Sequence, residues 1–280
     1  MIKDGNNKIY MYSAPRLIVG PTGKLYEGGG QFLSQTDAIF DRARTEGFNM
    51  PDIHIKRRMD ILIRNLISAG IWAKFDMFEC HCYGSIVLNN FKRINWKNPS
   101  GNLAAINGGV VYDAYGWQGS AVNAYIDTGF NPTLHGFNYT LNNAGRGALV
   151  FHSGTSTNLV IDGNNSTNNT LVNGLTSGQR INTTGGLNTG INLGGTGLIT
   201  INRTGSNDVM STKGATQFNN TSASSVFPNE NQWLFRTTSS YSDVGISFYF
   251  MGAALTYAET QLMRAILNNY LTSISLNPIA

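Results

Sequence analysis

Charge is scarce in this chain of 280 residues: 20 Lys+Arg and 16 Asp+Glu make 13%, about half the usual share. That scarcity excludes long solvated helices and highly charged disordered tails, and an aromatic content of 11% opposes disorder from the other side. Basic clusters are almost absent. The net charge is +4, but the only run of three basic residues is Lys56, Arg57 and Arg58, which falls on a predicted helix, so no nucleic acid is expected as partner. Cysteine is limited to Cys80 and Cys82, too close along a strand for an unstrained bridge and without the second pair that a structural zinc site needs. No disulfide, metal or cofactor is expected. Long apolar runs are missing as well: the N-terminus has none, and the longest, residues 244–255, is too short to cross a bilayer, so neither a secretion signal nor membrane insertion is expected.

Paired carboxylates are the last absence. Glycoside hydrolysis uses two carboxyl groups flanking the scissile bond. After residue 100 the acids are Asp113, Asp127, Asp162, Asp208, Glu230, Asp243 and Glu259, and no two stand at i+2 or i+4, where one strand or helix face would hold both. An enzyme is therefore not expected. No nucleophile-elbow motif supports a serine hydrolase either.

What is abundant is Gly, Asn, Ser and Thr, roughly 40% together, beside 41% hydrophobic residues, enough for a core. This mixture predicts many strands joined by polar turns. Residues 1–33 read as an extended arm with a flexible joint at Gly28, Gly29 and Gly30, too short to hold its own core and so obliged to pair with another surface. Residues 34–83 read as a helical leader. A helix begins at Ser34 or Thr36, and a stronger one runs from Pro51 to about Ala69, with Ile55, Met59, Leu62, Ile63, Leu66 and Ile67 on one face, Asp60 on the solvated side and Gly70 as terminator. A third short helix is predicted over 71–78.

From 84 to 280 strand signals dominate. Runs rich in β-branched and aromatic residues at 85–88, 109–112, 124–127, 147–151, 158–162, 198–203, 232–236 and 244–250 are bounded mostly by Gly, Asn or Ser. Asp162-Gly163 and residues 204–207 read as hairpin turns. Many short strands without intervening helices predict an antiparallel jelly-roll sandwich. Thr256 followed by Glu259 spells a capping box, so the chain ends in a helix packed on the sandwich.

Four segments, in order, resemble a family of tailed-bacteriophage virion proteins with a concanavalin A-like (laminin-G-like) sandwich behind a helical leader. They are MDILIRNLISAGIWAKF at 59–75, FKRINWKNP at 91–99, GSAVNAYIDTGFNP at 119–132 and ISFYFMGAALTYAETQL at 246–262, the last continued by LNNYLTSI at 267–274. Residues 140–230 have no counterpart in that pattern. The resemblance implies a virion protein exposed as capsid decoration, head fibre or tail component, with other virion proteins as partners. An arm carrying Arg16, Lys24 and Tyr26 would attach it and order against neighbouring subunits, which suggests a homo-oligomer, a trimer being the simplest case.

The alternative function is that of a receptor-binding lectin for a host surface glycan. Sugars stack on exposed aromatics and bond to Asn, Gln and Asp side chains, and Tyr115, Trp117 and Gln118 stand in a turn-rich segment suited to this. Against that stands the core reading of Trp117, since aromatics beside sandwich strands are usually buried.

Overall fold

The computed structural model describes residues 31–155, 159–166, 169–173, 179–186 and 192–279, and the backbone of four short strands within the first 30 residues. The chain divides into two compact units, Met1–Leu33 and Ser34–Ala280. In the first, β1 (Ile2–Lys3) pairs antiparallel with β2 (Ile9–Tyr10), and β3 (Leu17–Val19) with β4 (Leu25–Glu27). These ladders close within the arm itself. Tyr26 lies in β4 opposite Ile18, whereas Arg16 and Lys24 fall outside the described residues.

The second unit opens with α1 (Ser34–Thr45) and α2 (Ile53–Ser68). Asp52 caps α2 by accepting from the Ile55 N–H at 2.9 Å. Gly70, at φ +71°, turns the chain at the other end, where its N–H bonds the Ile67 carbonyl. Met59, Leu62, Ile63 and Leu66 are buried as their spacing requires, but Ile67 is exposed. Asp60 is not on a solvated face: it is buried, accepting from Thr36 Oγ1 at 2.7 Å and pairing with Arg64 Nε at 2.7 Å. Thr36 of α1 satisfies the carboxylate, so the pair fastens the two helices together.

The predicted third helix is replaced by a 3-10 turn at Trp72–Lys74 and by β5 (Phe75–Cys80), every residue of which is buried. Both faces of this strand are covered, so its apolar run has no alternation to separate it from a helix. The remaining strands are β6 (Ala105–Asn107), β7 (Val111–Tyr112), β8 (Trp117–Gln118), β9 (Tyr125–Asp127), β10 (Ala144–His152), β11 (Val160–Gly163), β12 (Leu171–Val172), β13 (Gly197–Arg203), β14 (Asp208–Lys213), β15 (Thr216–Thr221), β16 (Trp233–Leu234) and β17 (Gly245–Gly252). A short α3 (Pro132–His135) follows β9, and α4 (Tyr257–Ser273) ends the unit.

Two antiparallel sheets form the sandwich. One runs β15-β14-β13-β10-β17-β8-β7, with β5 sharing an edge of β17 with β8; the other runs β12-β11-β16-β9-β6. Trp117, Ile126, Ala148, Ile161, Ile199 and Leu234 meet between them, each fully buried. A register shift between Leu149 and Val150 lets Ile246 and Tyr249, three apart on β17, both enter this core. The opposite face of the larger sheet carries Phe75, Phe78, Phe248 and Phe250, whose rings lie 5.2–5.9 Å apart in successive pairs. Phe248 meets Tyr270 of α4 edge-on at 5.8 Å, and α4 also contacts α2. The helices thus form a third layer, and each buried Phe there contributes about 1.5–3 kcal/mol of apolar burial. The capping box is present: Thr256 Oγ1 accepts from the Glu259 N–H at 3.2 Å and Glu259 Oε2 from the Thr256 N–H at 2.8 Å.

Two sequence readings change. Asp162 and Gly163 form no turn but lie in β11, with Asp162 fully buried against Arg146 at 2.9 Å. Residues 85–88 form no strand, because their backbone is taken up in turns leading to a 3-10 segment at Phe91–Arg93. The predicted hairpin at 204–207 does join β13 to β14, with the Thr204 N–H bonding the Asp208 carbonyl.

Candidate functional site

Tyr115 and Trp117, two apart, would share a face on a regular strand. The turn between β7 and β8 separates them. Asp113 and Gly116 exchange backbone hydrogen bonds, and Gly116 passes so close to β17 that a Cβ there would sit 2.0 Å from the Ile246 carbonyl oxygen. Trp117 then enters the core, fully buried and stacked on His81 at 4.1 Å, which is the core reading and removes it from any surface site. Gln118 is half-buried in β8, its backbone opposite Val111 and Gly245. Tyr115 alone of the three stays at the rim.

Around Tyr115 lies a cleft of about 360 Å³ lined by Asp113, Phe151, Thr196, Asn277, Pro278 and Ile279. Four separate parts of the chain build it. Asp113 Oδ1 accepts from the Tyr115 N–H at 2.7 Å, fixing the turn. Phe151, near the end of β10, lies flat over Gly245; a Cβ at 245 would stand 2.6 Å from its ring, so only glycine permits this placement. The two rings stack with centroids 5.8 Å apart. On the far side Ser275, at φ +65°, turns the chain after α4 so that the Asn277 N–H reaches the Tyr115 hydroxyl at 3.0 Å. Asn268 of α4 clamps the segment that follows by exchanging two 2.9 Å bonds with Ile279.

Beneath the turn, buried Lys92 donates to the carbonyls of Asp113 and Gly116 at 3.1 and 3.4 Å. Burial lowers its pKa to about 8, against the opposing pull of Cys82, Cys80 and Asp113. The cleft wall therefore offers aromatic faces, one carboxylate, a threonine hydroxyl and an asparagine, a set suited to stacking a sugar ring and bonding its hydroxyls. Phe151, Thr196 and Asn277 could not be assigned to it from sequence, since they approach Tyr115 only through the fold. Among the cleft-lining residues Asp113 is the one carboxylate.

The titratable groups and thiols on and beside β5 are taken up in the fold. Glu79, on β5, and His81, just past its end, are fully buried with Oε2 and Nε2 at 3.0 Å. Burial pushes the carboxyl well above its ordinary 4.5 and the imidazole well below its ordinary 6.5, so each is driven toward its neutral form. Cys80 and Cys82 are buried thiols with sulfurs 3.8 Å apart. Asp76 accepts from the N–H groups of Asn138 and Tyr139 and so latches that loop onto β5. Among the described residues no group of His, Cys, Asp and Glu could hold a metal ion, and no helix is long and apolar enough to cross a membrane.

Fold and cleft define a β-sandwich of the jelly-roll class with a helical layer. No family model matches the sequence, and no curated protein is significantly similar. Among solved structures, domain 4 of AbnA, a GH43 extracellular arabinanase from Geobacillus stearothermophilus in complex with arabinotriose, is similar over 68% of this chain and 98% of its own, with 13% identity and a TM-score of 0.46. A mutant of HCR/D is similar over 69% of this chain and 52% of its own (9%, TM-score 0.44), and Trypanosoma rangeli sialidase over 76% and 39% (9%, TM-score 0.42).

Proposed function

We propose that the protein is a non-enzymatic binding module that holds a glycan in the Tyr115 cleft. The observation that carries this reading is the convergence of Tyr115, Phe151, Asp113, Thr196 and Asn277 around one opening at the surface. A single carboxylate supports recognition over hydrolysis, which uses two. The four segments that resemble tailed-phage virion proteins supply the setting: an outward-facing sandwich on a capsid, head fibre or tail, attached through residues 1–33, with a homo-oligomer, a trimer being simplest, as the assembled form. The arm's own hairpins support the attachment role, because isolated two-stranded ladders are marginal in water and gain stability by adding to a neighbour.

A panel of neutral bacterial surface glycans, titrated against the full chain and against Tyr115→Ala, tests the binding reading. Saturable binding weakened at least about tenfold by the substitution is expected, since stacking on one aromatic is worth a kcal/mol or more. Binding indifferent to Tyr115, or none across the panel, would reject it. Particle attachment is tested separately by deleting residues 1–30 and assaying incorporation into particles; retained incorporation would count against the arm.

A further inference from the structure

A cluster of aromatic and basic side chains lies on the outer face of the five-stranded sheet, sharing no residue with the lining of the Tyr115 cleft. Strand alternation from β16 would send Trp233 and Phe235 outward and Leu234 and Arg236 inward. Instead Phe235 adopts φ +67°, a left-handed conformation that costs a non-glycine residue about 1–3 kcal/mol. The kink returns Phe235 to the core, where it is fully buried, and swings Arg236 onto the face that carries Trp233. Gly163, paired with Trp233 from β11, leaves the room: a Cβ there would stand 2.7 Å from the Arg236 carbonyl oxygen. Tyr241 closes the turn through a backbone bridge to Arg236.

The result is a guanidinium set among three aromatic rings, its carbon 4.4 Å from the ring centroids of Tyr125 and Trp233 and 5.3 Å from that of Tyr241. Its Nε is buried and unbonded, and among the described residues the guanidinium has no hydrogen-bond or ion-pair partner. The carboxylate on the same face of β9, Asp127, is committed elsewhere: it accepts from Asn231 Nδ2 at 3.0 and 3.2 Å and from the Gly129 N–H at 2.9 Å. The hydroxyls of Tyr125 and Tyr241 and the indole N–H of Trp233 likewise have no partner among the described residues, which leaves the surface rich in donors.

We propose that this face is a binding site for an acidic sugar, whose carboxylate Arg236 receives while Trp233, Tyr125 and Tyr241 flank the sugar ring. A planar guanidinium held flat by aromatics presents its edge N–H pair in the fork that a two-oxygen carboxylate fits. The flanking rings suit the apolar face of a pyranose better than the backbone of an acidic peptide. Nothing in this assignment depends on the Tyr115 cleft.

The test is titration by Trp fluorescence, with trigalacturonate and sialyllactose as carboxylate probes and galactotriose and lactose as their neutral counterparts. At least one acidic probe should bind the wild-type chain with an affinity that falls as salt is raised, and its neutral counterpart about tenfold or more weakly. Arg236→Gln should erase that preference and Arg236→Lys should keep part of it, with melting temperatures reporting that both variants fold. Tyr115→Ala should leave it unchanged. Should Arg236→Gln fail to fold, Tyr241→Phe, which removes one donor and keeps the ring, should weaken the acidic probe alone. Equal binding of acidic and neutral sugars, retention of the preference in Arg236→Gln, or binding of inorganic phosphate or a poly-glutamate peptide in place of both acidic sugars would overturn the proposal, as would no binding of either acidic probe.

Discussion

Single residues tie the two sheets together through a buried ion pair. Arg146 on β10 reaches Asp162 on β11 at 2.9 Å, Tyr249 of β17 donates to the same carboxylate at 2.6 Å, and the Leu171 N–H adds a bond at 2.9 Å. Burial raises the Asp162 pKa, with Arg146, Tyr249 and the backbone pulling it down. Arg146→Ala leaves the carboxylate buried without its cation and is expected to cost about 3–5 kcal/mol in chemical denaturation, whereas Arg146→Met with Asp162→Leu should recover part of that loss, the rest remaining because the Tyr249 hydroxyl and the Leu171 N–H lose their acceptor. A double variant as unstable as the single would contradict this account. Glu79 yields a pH prediction. Its folded pKa is raised, so the folded state keeps a proton that the unfolded chain releases above about 4.5, and stability falls as pH rises through the window up to the folded value. His81 works oppositely, with stability lost as pH falls below 6.5. Glu79→Gln removes the first slope alone, so its melting temperature should gain on the wild type as pH rises above about 4.5; parallel curves would count against a raised Glu79 pKa.

At the scale of elements, the helices end where local chemistry stops them. Thr256 and Glu259 cap α4 reciprocally, and Glu259 also pairs with Lys74 at 2.7 Å; burial alone would raise its pKa, but these hydrogen bonds outweigh it and hold the carboxyl below its ordinary value. Thr256→Ala should cost about 1 kcal/mol, read as a lowered denaturation midpoint with unchanged slope. Caps of this kind were legible in the sequence because they involve residues three apart. The strands at 198–203 and 244–250 were legible for a similar reason, being apolar runs fenced by turn residues. β5 was not, since it is covered on both faces, and β15 was not, since Thr216–Thr221 is an exposed polar edge strand without an apolar period. Asp162 was misread because Asp-Gly signals a turn unless a distant arginine draws the carboxylate inside. Tyr115 could be picked out from its turn-rich context, but its partners Phe151 and Asn277 approach it only in the folded chain, and Arg236 gave only the hint of being the one cation between Lys213 and Arg264.

For the whole molecule, the sandwich and its helices make one compact unit and the arm another. A chain beginning at Ser34 should therefore unfold as a single cooperative transition with the melting temperature of the full chain, within a few degrees. A large loss of stability would mean that the arm completes the fold. In the proposed function, binding and attachment fall to different units, with the cleft at Tyr115 and the Arg236 face both on the sandwich. The central claim is that the cleft is where a glycan sits. The direct test is a crystal structure of the full chain soaked with the tightest neutral glycan from the panel. A sugar ring against Tyr115 and Phe151, with hydroxyls bonded to Asp113 and Asn277, is the predicted result; a cleft that stays empty at saturating ligand, whether or not a glycan is ordered elsewhere on the sandwich, would contradict it.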